Sequence, residues 1–138
     1  MLKLYPNDVK VAHMHFPLRG HRYAQIAAIG AVAAQRQGKF WEYHDRVFAN
    51  HSTLDDQKLT EIAKAIGLDM ARFDKDKADP SVQRQVQSDL ETGLEIGVTG
   101  TPAIFVNGRA LKSRSVPGFS SMIEAELRKL KGGGGPQK

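Results

Sequence analysis

Residues of the kinds that often perform chemistry are sparse in this sequence, and histidine is the main candidate. His13 and His15 flank Met14 in a segment of β-type alternation, which points both imidazoles the same way, and His21 follows nearby. Three imidazoles could hold a metal ion. No carboxylate or cysteine stands at a matching spacing, so we expect no metal site. His44 lies among aromatic residues, which favours a packed core histidine over a catalytic base.

Cysteine is absent from all 138 residues. Its absence excludes a disulfide framework, a thiolate nucleophile and a cysteine-ligated metal. The Gly-x-Ser-x-Gly, P-loop and His-Glu-x-x-His patterns are absent as well. The clustered aspartates indicate helix caps and solvated charges rather than an acid–base pair. We therefore predict no catalytic residue and no cofactor for this chain.

The segment 97–108 has the clearest local plan; it reads Gly-Val-Thr-Gly-Thr-Pro-Ala-Ile-Phe-Val-Asn-Gly. Its first glycine closes a helix, and residues 99–102 form a tight loop. Residues 103–106 are apolar and β-favouring, which predicts a buried strand. The final Asn-Gly pair favours a two-residue hairpin turn, because both central residues of a type I′ turn need positive φ.

The remaining sequence predicts a short return strand that starts at Ala110 and Leu111, one further strand and several helices. Residues 9–16 alternate as a strand does, and residues 1–5 resemble the end of a helix. Ser52 or Thr53 is the expected cap of a third helix, and Asp79 with Pro80 the start of a longer one. The predicted helices cover about residues 21–36, 39–49, 54–66, 69–77 and 80–96, and one follows Pro117.

The segment 97–108 resembles the cis-proline segment of the thioredoxin-fold superfamily and is closest to the DsbA-like thiol–disulfide oxidoreductases. Gly-Lys-Phe-Trp-Glu-Tyr-His-Asp at residues 38–45 is similar to the helical insertion of that family. The resemblance implies an α/β, thioredoxin-like fold with a helical insertion at about residues 21–96. It implies one domain over residues 1–131, followed by a flexible tail at residues 132–138.

The resemblance also implies a binding site. In the DsbA-like family, the residue before the proline presents its backbone to an extended peptide beside the redox site. This carries over to Gly100, Thr101 and Pro102 as peptide-binding residues. The expected partner is therefore an extended peptide or protein substrate at the cis-proline loop.

The family's first strand and the helix that opens with Cys-x-x-Cys have no counterpart in this sequence. In a thioredoxin fold that strand is central, so its absence leaves backbone groups of two strands unpaired, at roughly 1–3 kcal/mol for each buried group. Residues 9–16 could pair directly with residues 103–106, two copies could exchange elements, or a separate segment could fill the gap. We expect a homodimer.

Composition limits the remaining possibilities. The length suits one domain, no apolar run approaches the ~18–20 residues of a membrane span, and the N-terminus lacks the apolar core of a signal peptide. The DsbA-like family generally works outside the cytoplasm, but the sequence itself does not assign a compartment. The net charge of +5 is dispersed along the sequence, which favours a solvated surface over nucleic-acid binding.

Three functions follow from these observations. The first is a domain of a protein thiol–disulfide oxidoreductase that is redox-inactive as given, because it has no cysteine. The second is a non-catalytic peptide-binding or assembly module that uses the loop at Thr101 and Pro102. The third, another enzyme such as a glutathione-dependent isomerase, lacks a recognisable nucleophile or base.

Overall fold

The structure is a computed structural model that describes residues 2–18, 20–21 and 23–132. Six helices and one two-stranded antiparallel hairpin form among these residues. In chain order they are α1 (Ala24–Arg36), α2 (Phe40–Ala49), α3 (Asp56–Ala65), α4 (Met70–Ala78), α5 (Pro80–Glu95), β1 (Phe105–Val106), β2 (Arg109–Ala110) and α6 (Val116–Gly132). The tail predicted at residues 132–138 lies outside the described residues from 133 onward.

The elements belong to two compact units. Met14–Thr99 forms the helical unit, which contains α1 to α5. Met1–His13 and Gly100–Lys138 together form the terminal unit, which contains the hairpin and α6.

The core of the helical unit depends on the small side chains of α1. Gly30 lies against the ring of Tyr43 on α2, and a β-carbon at this position would collide with the tyrosine hydroxyl. The same close approach lets the buried alanines of α1 contact larger apolar side chains from the other helices. That core cluster consists of Ala31, Ala33, Ala34, Tyr43, Leu59, Ile62, Ala63, Leu68 and Phe73. A second cluster joins Val32 of α1 to Val82 and Val86 of α5.

Aspartates begin three consecutive helices of this unit. Asp55 accepts from the Lys58 backbone N–H at 2.7 Å, and it caps α3 in place of the predicted Ser52 or Thr53. A carboxylate immediately before the first helical residue satisfies a free N–H and also meets the positive end of the helix dipole. Asp79 caps α5 with Pro80 as its first residue, which confirms the prediction for that helix.

Arg36, at the end of α1, joins the end of α4 to the beginning of α5. Its Nη1 donates to Asp76 Oδ1 at 3.1 Å and Asp79 Oδ2 at 3.0 Å, and its Nη2 donates to Ser81 Oγ at 2.7 Å. The hydrogen bond from the Ser81 backbone N–H lowers the pKa of Asp79 most, and the hydrogen bond from the Arg36 guanidinium has the second largest effect. Together they lower this pKa to about 2.

Two predictions for the N-terminal residues are wrong. Residues 2–8 form turns rather than the end of a helix, and residues 9–16 form no strand. A strand requires a neighbour for its backbone groups, whereas the N–H of His15 donates to a side-chain carboxylate, that of Asp89. The strand predicted at residues 103–106 is present only as β1, and it is not buried, because Phe105 is 39% exposed.

Candidate functional site: the open edge of the hairpin

The chain leaves α5 through a glycine before it reaches the loop that enters the hairpin. Gly97 follows the helix with a φ of 86°, and its N–H donates to the Leu94 carbonyl. This is the conformation that glycine adopts more readily than any other residue at a helix C-terminus. The chain then continues to Thr101 and Pro102, whose shared peptide bond is cis.

The hairpin turn has the conformation that its sequence predicts. Asn107 and Gly108 have φ angles of 47° and 81°, as the central residues of a two-residue turn of the primed class require. Phe105 stands opposite Ala110 and Val106 opposite Arg109. The turn thereby fixes the register of the two strands.

The register also fixes the direction of the backbone groups on β1. The Leu111 N–H donates to the Ile104 carbonyl at 2.8 Å, so these two residues form a hydrogen-bonded pair. Bonded and non-bonded pairs alternate along an antiparallel ladder, which makes Phe105 and Ala110 a non-bonded pair. The N–H and C=O of Phe105 consequently point away from β2. Among the residues that the structure describes, no hydrogen bond to residues 101–106 reaches that open side.

The predicted peptide-binding residues lie on the chain that leads into this edge. Thr101 and Pro102 are exposed, as is Ala103, and Gly100 is half-buried. The exposed backbone here has the features of an edge strand that can accept another strand.

A three-residue ionic group holds the hairpin against α6. Glu126 accepts from Arg109 of β2 at 3.2 Å and from Lys129 of α6 at 3.0 Å. Donation by Lys129, reinforced by Arg109, holds the pKa of Glu126 below its usual range. The ion pair ties β2 to α6 through the Arg109 side chain, and the N–H and C=O of Phe105 leave the β1 side of the hairpin open.

His15 has a structural position that its sequence does not indicate. It is 6% exposed, its backbone N–H donates to Asp89 Oδ2 at 3.0 Å, and its ring meets that of Phe40 edge-on at 6.0 Å. Burial lowers the pKa of His15, against the opposing effect of the Asp89 carboxylate, and nearby His44 lowers it further.

The other histidines do not join His15 in a metal-binding group. His13 and His21 are exposed, whereas His44 is half-buried among the rings of Phe40, Trp41 and Phe48. Within residues 2–18, 20–21 and 23–132, no group of three or more His, Cys, Asp or Glu side chains could hold a metal ion. No helix in the same ranges is long and apolar enough to cross a membrane.

Asp89 is the polar residue that sequence reasoning missed. It is 8% exposed and uses both carboxylate oxygens, accepting from His15 N–H and from Gln85 Nε2. The spacing of the sequence predicts its burial, because Asp89 lies three residues after Val86 and four before Gly93, on the inward face of α5. A carboxylate on such a face needs donors, and the extended segment at His15 supplies one.

Comparison with known proteins gives a family and a group of relatives. The model of the DSBA-like thioredoxin domain matches residues 1–124. No solved structure matches the chain.

The curated relatives are much longer than this chain. The Na(+)/H(+) antiporter NhaA 3 of Salinispora tropica is 36% identical over 128 residues, which cover 88% of this chain and 20% of the relative. The Na(+)/H(+) antiporter NhaA of Herminiimonas arsenicoxydans is 34% identical over 125 residues, which cover 90% of this chain and 20% of that relative. The Na(+)/H(+) antiporter NhaA 1 of Salinispora arenicola is 38% identical over 103 residues, which cover 74% of this chain and 16% of that relative. The chain therefore spans about one fifth of the length of these relatives.

Proposed function

The chain belongs to the DSBA-like thioredoxin domain family, and from this premise we propose that it binds an extended polypeptide without performing redox chemistry of its own. The observation that carries the proposal is the free backbone of Phe105, whose N–H and C=O point to the open side of β1. An added strand would pair with these groups and extend the hairpin, as in β-augmentation. Gly100, Thr101 and Pro102 would contact the same polypeptide.

The absence of cysteine supports a binding role over catalysis. Thiol–disulfide exchange requires a thiolate that attacks a disulfide sulfur, and this chain has none. A domain of this family could take part in such exchange only beside cysteines of another segment or another chain. Insulin reduction by the purified chain is expected to proceed at the rate of the buffer control. A clear turnover above that rate would contradict the redox-inactive assignment.

We also propose that the family's first βα unit is missing from this chain. Support comes from the open side of β1 and from the lack of strand structure at residues 9–16. The domain would extend over residues 1–131, with residues 21–96 as its helical insertion.

Self-association is the second way in which the open edge could be covered. Two copies could exchange or pair strands, which is the homodimer expected from the sequence. Light scattering over a dilution series measures this directly. A constant dimer mass would support pairing between copies, and a constant monomer mass would exclude it.

Peptide binding is tested by nuclear magnetic resonance on the ¹⁵N-labelled chain. The probe is an octapeptide of alternating threonine and valine, which favours an extended backbone. We expect it to shift the Phe105 amide more than the Arg109 amide, since Arg109 is already paired within the hairpin. The matched control is the same peptide with N-methylated amides, which cannot donate to a strand. Equal shifts with both peptides, or none with either, would refute the proposal.

The names of the relatives suggest the setting in which such a domain works. We propose that it forms one part of a larger ion-transporting protein rather than a separate oxidoreductase. Its support is a match that covers most of this chain but about a fifth of proteins named as Na⁺/H⁺ antiporters. Replacement of the matching segment in the Salinispora tropica protein by this chain is expected to preserve Na⁺/H⁺ exchange in membrane vesicles. Loss of exchange at an unchanged protein level would contradict this assignment.

A further inference from the structure

The formal charge of the chain is concentrated in one of its two units. Residues 14–99, the helical unit, contain eleven lysines and arginines and twelve aspartates and glutamates, a formal charge of −1. Residues 1–13 and 100–138, the terminal unit, contain nine basic and three acidic residues, a formal charge of +6. Most of this excess lies in residues 100–138, which contain seven basic and two acidic residues.

The few acidic side chains of the terminal unit are largely engaged. Glu126 accepts from Arg109 and Lys129, and Glu124 accepts from the Tyr5 hydroxyl at 2.9 Å. By contrast, Lys112 and Arg114 follow β2 directly and are exposed. In the part of the chain that the structure describes, neither forms an ion pair. The unit that contains the open edge thus has an uncompensated positive charge.

The same unit exposes apolar side chains. Ile123 is its one buried residue within the described ranges, while Leu4, Val11, Phe105 and Val116 are all more than a third exposed. Isolated exposed apolar residues are common, but here they accompany an unpaired strand edge and a net positive charge.

From these three features together we propose that the open edge of β1 binds an acidic polypeptide in extended form, with apolar and acidic side chains alternating along it. This inference rests on the proposed function and names the partner's chemistry. The extended backbone would pair with Phe105, the apolar side chains would cover exposed apolar surface, and the carboxylates would meet the positive unit. An anionic lipid surface would satisfy the charge but not the strand hydrogen bonds. A second copy would bring another charge of +6, which opposes pairing.

The experiment compares two labelled octapeptides, one of alternating glutamate and valine and one of alternating lysine and valine, by fluorescence anisotropy with the complete chain. We expect the acidic peptide to bind at least about tenfold more tightly at low ionic strength. The preference is expected to fade at about 1 M salt, where the Debye length falls to ~3 Å.

Charge variants locate the effect. The double variant Lys112→Gln with Arg114→Gln is expected to weaken binding of the acidic peptide about threefold to tenfold. The matched control is Lys64→Gln with Lys75→Gln, which removes the same charge from exposed positions of the helical unit. This control is expected to leave the affinity within about twofold, because a surface change of net charge alone acts weakly at a distance.

The outcomes separate this inference from the proposal on which it rests. If the threonine–valine peptide binds while the glutamate and lysine peptides bind equally, strand binding stands and the acidic preference is refuted. If no peptide binds, both proposals are wrong. Binding of phosphatidylserine vesicles without binding of the acidic peptide would replace the polypeptide by a lipid surface, and dimerisation that rises with salt would replace it by a second copy.

Discussion

The contact between Gly30 and Tyr43 allows a prediction whose size can be worked from the structure. In the variant Gly30→Ala, the added β-carbon would collide with the tyrosine hydroxyl, would lie 2.8 Å from Cζ and would lie 3.4 Å from Cε1. Tyr43 is 1% exposed and its ring packs against Phe73 at 6.0 Å between centroids, so it has little room to move. Overpacking of a core of this kind costs about 1–3 kcal/mol.

Two further terms set the net effect. Alanine is more favourable than glycine inside a helix by about 1 kcal/mol, which offsets part of the overpacking. Because the tyrosine hydroxyl and Cζ are both too close, we place the overpacking near its upper range. We therefore expect Gly30→Ala to lower the free energy of unfolding by about 1–2 kcal/mol, which corresponds to about 4 °C in Tm for each kcal/mol.

Removal of the hydroxyl should reverse part of this loss. Tyr43 Oη is buried and has no hydrogen-bond partner among the described residues, so Tyr43→Phe alone is expected to be neutral or to stabilise by about 1 kcal/mol. In the double variant the worst collision is gone, but the contact with Cζ remains. Beyond the effect of Tyr43→Phe alone, we expect about half of the loss to be recovered, which is a favourable coupling energy of about 0.5–1 kcal/mol.

Urea unfolding followed by circular dichroism measures all four members of this cycle. Gly93→Ala is the matched control, since Gly93 is also inside a helix but a β-carbon there would meet the Phe16 ring at an ordinary 3.7 Å. This control is expected to be stabilising by about 0.5–1 kcal/mol. Equal effects of Gly30→Ala and Gly93→Ala, or additive effects of Gly30→Ala and Tyr43→Phe, would refute the packing argument.

Three other predictions concern the helical unit. The pKa of His15 is lowered in the folded chain, so below about pH 6.5, the usual pKa of histidine, the unfolded chain binds more protons than the folded chain. The free energy of unfolding is therefore expected to fall between about pH 7.5 and 5.5, and to fall less in the variant His15→Gln. Urea midpoints that change with pH in parallel for both proteins would contradict this. In Asp89→Asn, the new amide N–H₂ would face one of the two donors, the His15 N–H or Gln85 Nε2, and we expect the free energy of unfolding to fall by about 1–3 kcal/mol. An unchanged urea midpoint would show that the carboxylate does not stabilise the fold. Asp55→Ala is expected to cost about 1 kcal/mol and Ser52→Ala less than about 0.5 kcal/mol, and the reverse order in thermal unfolding would restore the cap predicted from the sequence.

Local signals in the sequence predict most of the helical unit. Asp79 and Pro80 mark the beginning of α5, and Gly97 marks its exit with positive φ. The Asn107-Gly108 turn also follows from the two residues themselves. In each case a backbone requirement belongs to one or two neighbouring residues, so a short stretch of sequence contains the information.

The wrong predictions depend on residues far away in the chain. The alternation of residues 9–16 is typical of a strand, but no strand among the described residues pairs with the segment, and the His15 N–H donates to Asp89 instead. Residues 103–106 are apolar enough for burial, but a buried strand also needs other elements packed against it. The residue pattern of the strand does not predict whether such elements are present.

The bridge formed by Arg36 has a consequence for synthesis on the ribosome. Its side-chain partners Asp76, Asp79 and Ser81 follow it by 40, 43 and 45 residues, and Asp89 follows its own partner His15 by 74. A nascent chain that has exposed only α1 to α3 holds an arginine whose acceptors are still inside the exit tunnel. The contacts of Arg36 with Ser81 and of His15 with Asp89 can therefore form only after the corresponding part of α5 has emerged.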